Sequence, residues 1–197
     1  MHDVVISGVR LPSGERTDLG IRDGVFVEAR SLTRPTVIEA EGLVLLPGLV
    51  DLHTHLREPS PHAAETIATG TAAAARGGYT AVFAMPNTDP VTDTAAAVRD
   101  LRRRAAGAAA EVVPVGAITV GQGGTELADL ADLHAEGVMW FSDDGHCVMD
   151  AAVMRRALLT VSPFGGTVAQ HSQDHTIAGP AAWRPDGLEI PPLDPTT

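Results

Sequence analysis

Residues 46–53, LPGLVDLH, mark the point where the pattern of the chain changes. A Pro-Gly turn leads into a short apolar run of strand length, and from there strand-like and helix-like segments alternate. YTAVFAM (79–85), EVVPVGAI (111–118), VMWFSDD (138–144) and TVAQHS (167–172) read as four further strands. The spacing predicts helices over 65–76, 94–106, 125–136 and 151–160, the last with Asp150 as its N-cap. Five strands alternating with four helices imply parallel strands joined by right-handed crossovers. The expected fold class is α/β, a partial TIM-type (β/α) barrel with about five of eight strands, or an open doubly wound sheet. A closed barrel takes roughly 250 residues, and this chain has 197.

Before this point, residues 1–46 read as a small N-terminal β unit. VVISGVRL, GIRDGVFVEA and TVIEAEGLVLL are short strand candidates, and Asp23-Gly24 is a two-residue hairpin signal. Residues 47–178 form the barrel portion. Beyond His175, Pro180, Pro185, Pro191, Pro192 and Pro195 interrupt any period, so residues 179–197 are expected to be an irregular tail.

Composition narrows the function classes. The chain is 44% hydrophobic and 20% charged, an ordinary globular balance. No apolar run approaches the roughly 18 residues of a membrane span, and no signal peptide layout is present, so a cytoplasmic protein is expected. The lone cysteine, Cys147, cannot form an internal disulfide. A net charge of -11 argues against a nucleic-acid partner, since the one basic cluster, Arg102-Arg103-Arg104, lies on a predicted helix where a solvated face explains it. All 14 positive residues are arginine; the chain has no lysine.

His53-Thr54-His55 closes the first barrel-type strand, and the period of two sends both imidazoles to one side. Such a pair is equally compatible with no ligand role. Asp143-Asp144-Gly145 ends the fourth strand and His171 the fifth. Taken singly, the first is an ordinary turn and the second an ordinary core histidine. All of these candidates, however, fall at the C-terminal ends of parallel strands, where barrels build active sites. Three imidazoles and one carboxylate suit zinc, with manganese or cobalt as alternatives, better than calcium. Arg57, in LREP, and Asn87, in MPNTDP, continue over the same rim as a carboxylate-gripping guanidinium and an amide donor, although a loop salt bridge and a turn are their plain alternatives. His2, His62, His134, His146 and His175 are read as non-ligands, with His146 and Cys147 near enough to the acidic pair to line a pocket.

GLVDLHTHLREP, MPNTDPVTD, GAITVG, FSDDG with VMD, and AQH together resemble bacterial dihydroorotases of the longer, type I class, over residues 42–182. HxH after GxVDxH marks the wider amidohydrolase superfamily, and HLREP, MPNT and DDG narrow it. The resemblance implies that His53 and His55 bind one metal, that Asp144 bridges two, and that His171 binds the second. It implies one or two zinc ions and a grip on the substrate carboxylate by Arg57 and Asn87, with His55 also near the substrate. Many relatives, among them hydantoinases and allantoinases, bridge their metals with a carboxylated lysine. Without lysine the bridge here must be a carboxylate side chain, assigned to Asp144 rather than Asp143.

The implied reaction is reversible hydrolysis of dihydroorotate to N-carbamoyl-aspartate in pyrimidine biosynthesis. The implied partners are a second copy of the chain and aspartate transcarbamoylase. A strand-six histidine and the acid/base aspartate of strand eight have no counterpart and are expected beyond Thr197, as though the chain were cut short or shifted in frame. The rival readings are an inactive homologue acting as a binding module for aspartate transcarbamoylase, or another cyclic-amide hydrolase.

Overall fold

The computed structural model describes residues 3–60, 64–174 and 176. The chain divides into two units, Met1–Gly48 and Leu49–Thr197. The expected tail over 179–197 lies outside the described residues, as do His2, His62 and His175.

The first unit is a four-stranded sheet of β1 (Val4–Arg10), β2 (Arg16–Arg22), β3 (Val25–Val27) and β4 (Thr36–Glu39), in the order β3-β2-β1-β4. Strands β2 and β3 form the expected hairpin. Its two loop residues, Asp23 and Gly24, have φ of 54° and 77°, the left-handed pair that matches the twist of flanking strands. A bulge between Ile6 and Val9 interrupts β1. Asp18 fastens it by accepting from Gly8 N at 2.7 Å and Ser7 Oγ at 3.1 Å.

The second unit alternates strand and helix throughout its described length. Its elements are β5 (Leu49–Thr54), α1 (Ile67–Arg76), β6 (Tyr79–Ala84), α2 (Ala95–Arg104), β7 (Glu111–Pro114), α3 (Leu130–Ala135), β8 (Trp140–Phe141), α4 (Ala151–Val161) and β9 (Thr167–Val168). Strands β5, β6 and β7 pair in parallel in that order, and β8 pairs in parallel with β9. A parallel bridge between Gly116 and Phe141 carries the order across from β7 to β8. All five strands therefore point the same way, and their C-terminal ends share one side.

Several elements are shorter than the sequence pattern predicts, β8 among them at Trp140–Phe141. Beyond Pro114 the chain changes neighbours rather than extending one ladder: Val115 N donates to Ala84 O at 3.1 Å on the β6 side, while Gly116 N donates to Trp140 O at 2.9 Å on the β8 side, where a Cβ at Gly116 would meet Leu133, Phe141 and Val138 at 3.1–3.3 Å. Helix α3 starts at Leu130 rather than near 125, because Ala128 N donates to Ile118 O and a bridge joins Leu127 to Thr119, keeping this stretch extended. Asp129 then caps the helix by accepting from Asp132 N at 2.9 Å. Strand β9 ends early, yet Ala169 N still donates to Phe141 O at 2.8 Å, so the chain reaches His171 nearly in register.

Caps fix the other helices. Asp150 accepts from Ala152 N and Val153 N at the start of α4, as the sequence predicts. Thr66 and Thr69 form a capping box on α1, and Glu58, from the loop after β5, accepts from Ile67 N at 2.7 Å. The main core packs Phe141, Ile118, Leu133, Val98 and Val161 under β8, and a smaller one packs Leu56, Ile67, Val82 and Leu101. Among the described residues no helix is long and apolar enough to cross a membrane.

Candidate metal centre

The loops that leave the strand ends are tied each to the next. Asp89 N, after β6, donates to Pro59 O, after β5, at 2.9 Å. Ala117 N, after β7, donates to Thr92 O at 2.9 Å, and Gly121 N to Asp93 Oδ2 at 2.8 Å. Gln122 Nε2 donates to Asp144 O, after β8, at 3.1 Å. Such chained ties hold a rim in place without regular secondary structure.

On this rim His53 and His55 stand on one side of β5, their rings edge to face with centroids 5.2 Å apart. Thr54, between them, turns the other way and donates to Phe83 O at 2.8 Å. Asp144 lies across from both. Its Oδ1 is 3.2 Å from His53 Nε2 and its Oδ2 is 3.3 Å from His55 Nε2. His171 Nδ1 approaches the same Oδ1 at 3.5 Å. Asn87 completes the group: its Oδ1 is 3.0 Å from His55 Nδ1, and its Nδ2 donates to Asp144 Oδ2 at 3.3 Å.

The two adjacent aspartates divide cleanly. Alternation along the strand end sends Asp143 away from the imidazoles into the interior, where it is fully buried. Its Oδ1 accepts from Ile118 N at 2.8 Å and Thr119 N at 3.0 Å, and its Oδ2 accepts from Thr119 Oγ1. Asp143 is thus a tie between the loops after β7 and β8. An acidic pair on a strand end is itself a signal of one inward and one outward carboxylate.

The donor set fits a first-row divalent ion. Bonds of about 2.0–2.2 Å to nitrogen and oxygen, in tetrahedral geometry, put ligand atoms about 3.3–3.6 Å apart. The His53, His55 and His171 nitrogens lie 3.2–3.5 Å from the Asp144 oxygens. The ligand atoms of His53, His55 and Asp144 all lie within 4.8 Å of one another. Asp144 is buried while the His53 ring is about half exposed, so an ion would be held against the protein and still meet solvent on one side.

The remaining candidates sort as follows. Arg57 is exposed, has a left-handed φ of 59°, and pairs with no carboxylate among the described residues. Positive φ is uncommon outside glycine and is a form of strain that collects at functional sites. His134 is a packing residue, stacked on Phe164 at 4.0 Å. Cys147 Sγ accepts from Gln170 Nε2 at 3.2 Å, and His146 is exposed.

The model of the dihydro-orotase-like family matches residues 42–189. The chain belongs to this family. It is 52% identical to the dihydroorotase of Streptomyces coelicolor over 181 residues, which cover 88% of this chain and 42% of that protein. It is 48% identical to the dihydroorotase of Mycobacterium tuberculosis over 179 residues, 87% of this chain and 42% of that one. The chain therefore spans about two fifths of the length of these dihydroorotases. Among solved structures, the L-hydantoinase (dihydropyrimidinase) of Arthrobacter aurescens superposes with a TM-score of 0.72 at 20% identity, over 90% of this chain and 42% of that one. A D-hydantoinase superposes at 0.69 with 21% identity. At this identity the likeness extends to the fold alone.

Proposed function

We propose that this chain supplies the metal-binding portion of a dihydroorotase, which opens and closes the cyclic amide of dihydroorotate in cytoplasmic pyrimidine biosynthesis. In this reading its five parallel strands are the first five of an eight-stranded (β/α) barrel. The observation that carries the reading is the convergence of His53, His55, His171 and Asn87 on Asp144, in a chain of the dihydro-orotase-like family.

His53, His55, Asp144 and His171 would hold zinc, as one ion or as two with Asp144 shared. When bound, the metal supplies Lewis acidity toward the ring carbonyl. The chain's own residues do the positioning. Arg57, with no carboxylate partner among the described residues, offers a fork of N–H donors to the substrate carboxylate. Asn87 spends one Nδ2 hydrogen on Asp144 and keeps a second for the same carboxylate. Holding the ring by its carboxylate fixes which carbonyl faces the metal ligands, a gain in orientation rather than in bond-making. Proton transfer at the amide nitrogen is assigned to an aspartate outside these 197 residues. The missing lysine separates this site from relatives that carboxylate one.

The test is made on a full-length version. Zinc-dependent turnover should favour dihydroorotate over hydantoin and allantoin. Arg57→Met should cost roughly 2–5 kcal/mol in kcat/KM, the loss when a buried partner charge is left unpaired, while metal content stays that of the parent. Equal turnover of the three cyclic amides, or unchanged kinetics in Arg57→Met, would rule the assignment out.

A further inference from the structure

We propose that Gln173 is a positioning residue of the metal centre: its side-chain carbonyl fixes His171 in the tautomer protonated on Nε2, leaving Nδ1 bare toward Asp144. The proposal rests on reading the cluster as a metal site, and it assigns a role to a residue that no motif singled out.

The geometry around His171 is asymmetric. Its Nε2 lies 3.0 Å from Gln173 Oε1, a normal hydrogen-bond length, whereas its Nδ1 lies 3.5 Å from Asp144 Oδ1, too long for a good N–H···O bond. An amide oxygen only accepts, so the ring proton belongs on Nε2. A tight turn in which Gln173 N donates to His171 O at 2.8 Å brings the two side chains together. With one proton on a neutral imidazole, Nδ1 keeps its lone pair, and that lone pair faces a carboxylate. Two electron-rich atoms facing each other repel unless a cation lies between them, which is what a ligand nitrogen requires.

The same arrangement recurs independently at His55, with the ring nitrogens exchanged. There Asn87 Oδ1 stands 3.0 Å from Nδ1, and the bare Nε2 faces Asp144 Oδ2 at 3.3 Å. Two histidines from different strands thus each meet an amide oxygen on the far nitrogen and the Asp144 carboxylate on the near one. His53 has no such partner among the described residues; its ring nitrogens meet only Asp144. Gln173 is to His171 what Asn87 is to His55, a carbonyl that sets which nitrogen is offered to the metal.

The experiment uses the 197-residue chain, ¹⁵N-labelled and metal-free at pH 8, with long-range proton–nitrogen correlation to read the tautomer of each ring. His171 should be protonated on Nε2 in the parent and in Gln173→Glu, and a mixture in Gln173→Leu. Cobalt(II) affinity, measured against a chromophoric chelator, should fall about 10- to 100-fold in Gln173→Leu, as expected for loss of an outer partner of a ligating histidine. It should match or exceed the parent in Gln173→Glu, which keeps the acceptor. Thermal unfolding of the metal-free proteins separates a folding defect from a positioning one, and Gln173→Glu decides the matter if Gln173→Leu does not fold. An Nδ1-protonated His171, a Gln173→Leu that binds cobalt like the parent, or a Gln173→Glu as weak as Gln173→Leu overturns the proposal. A parent that binds no cobalt overturns the metal reading itself and this role with it.

Discussion

The strand end after β8 and the strand β5 feed the same cluster but are held in different ways. From Phe141 in β8 through Ser142 and Asp143 to Asp144 every residue is buried, and the Asp143 carboxylate is saturated by two backbone N–H groups and a hydroxyl. In β5, Leu49, Val50 and Leu52 are each about half exposed, 48%, 50% and 48%, and the His53 ring projects into the open. The carboxylate of the centre is therefore preorganised by the core, while two of its imidazoles come from a strand with little cover. Stability and ligand supply are separable: changes beneath β8 should cost folding free energy, whereas changes along β5 should cost little of it.

The sharpest way to break this contrast is at the centre of the main core. Phe141 is fully buried, and Phe141→Ala should destabilise by about 3–5 kcal/mol, read from the urea midpoint of the metal-free chain. A loss under about 1 kcal/mol would show that β8 is not the anchored end. Next comes Asp143→Ala, which orphans Ile118 N, Thr119 N and Thr119 Oγ1 in the interior. Unpaired buried groups cost about 1–3 kcal/mol each, with partial relief by relaxation, so a net loss of about 3 kcal/mol is expected. Asp143→Ala should behave as a stability mutant; cation affinity lost without any change in unfolding would mean that the two aspartates have been assigned the wrong way round. The smallest effect belongs to β5. Leu52→Thr, on an exposed position that favours β-branched residues, should shift stability by less than about 0.5 kcal/mol, and a larger loss would show that β5 is covered after all.

The contrast also explains what could be read from the sequence. The five parallel strands and the Asp23-Gly24 hairpin were legible because period and turn chemistry are local signals. His53, His55, Asn87, Asp144 and His171 could be named because each sits at or just past the end of a recognisable strand, and the structure brings them together. The start of α3 was not legible, since helix-forming residues near 125 are held extended by partners about ten residues upstream in the loop after β7. The tie from Asp143 to Thr119 spans 24 residues and the contact of Asn87 with Asp144 spans 57. Such contacts depend on how strands stack, which no window along the chain reveals. Gln173 carries no composition signal at all; only its distance to His171 marks it.

In the proposed metal centre Asp144, not Asp143, joins His53 and His55 to His171 in one cation site. Calorimetric titration of zinc into the 197-residue parent and into Asp144→Ala tests it most directly. Saturable binding by the parent is expected. Asp144→Ala should lose at least about a hundredfold in affinity, more than the loss of an outer partner costs, with the unfolding midpoint of the metal-free chain held or raised. Equal affinity in the two proteins, or a loss that merely tracks unfolding, would show that Asp144 is not a ligand of the site.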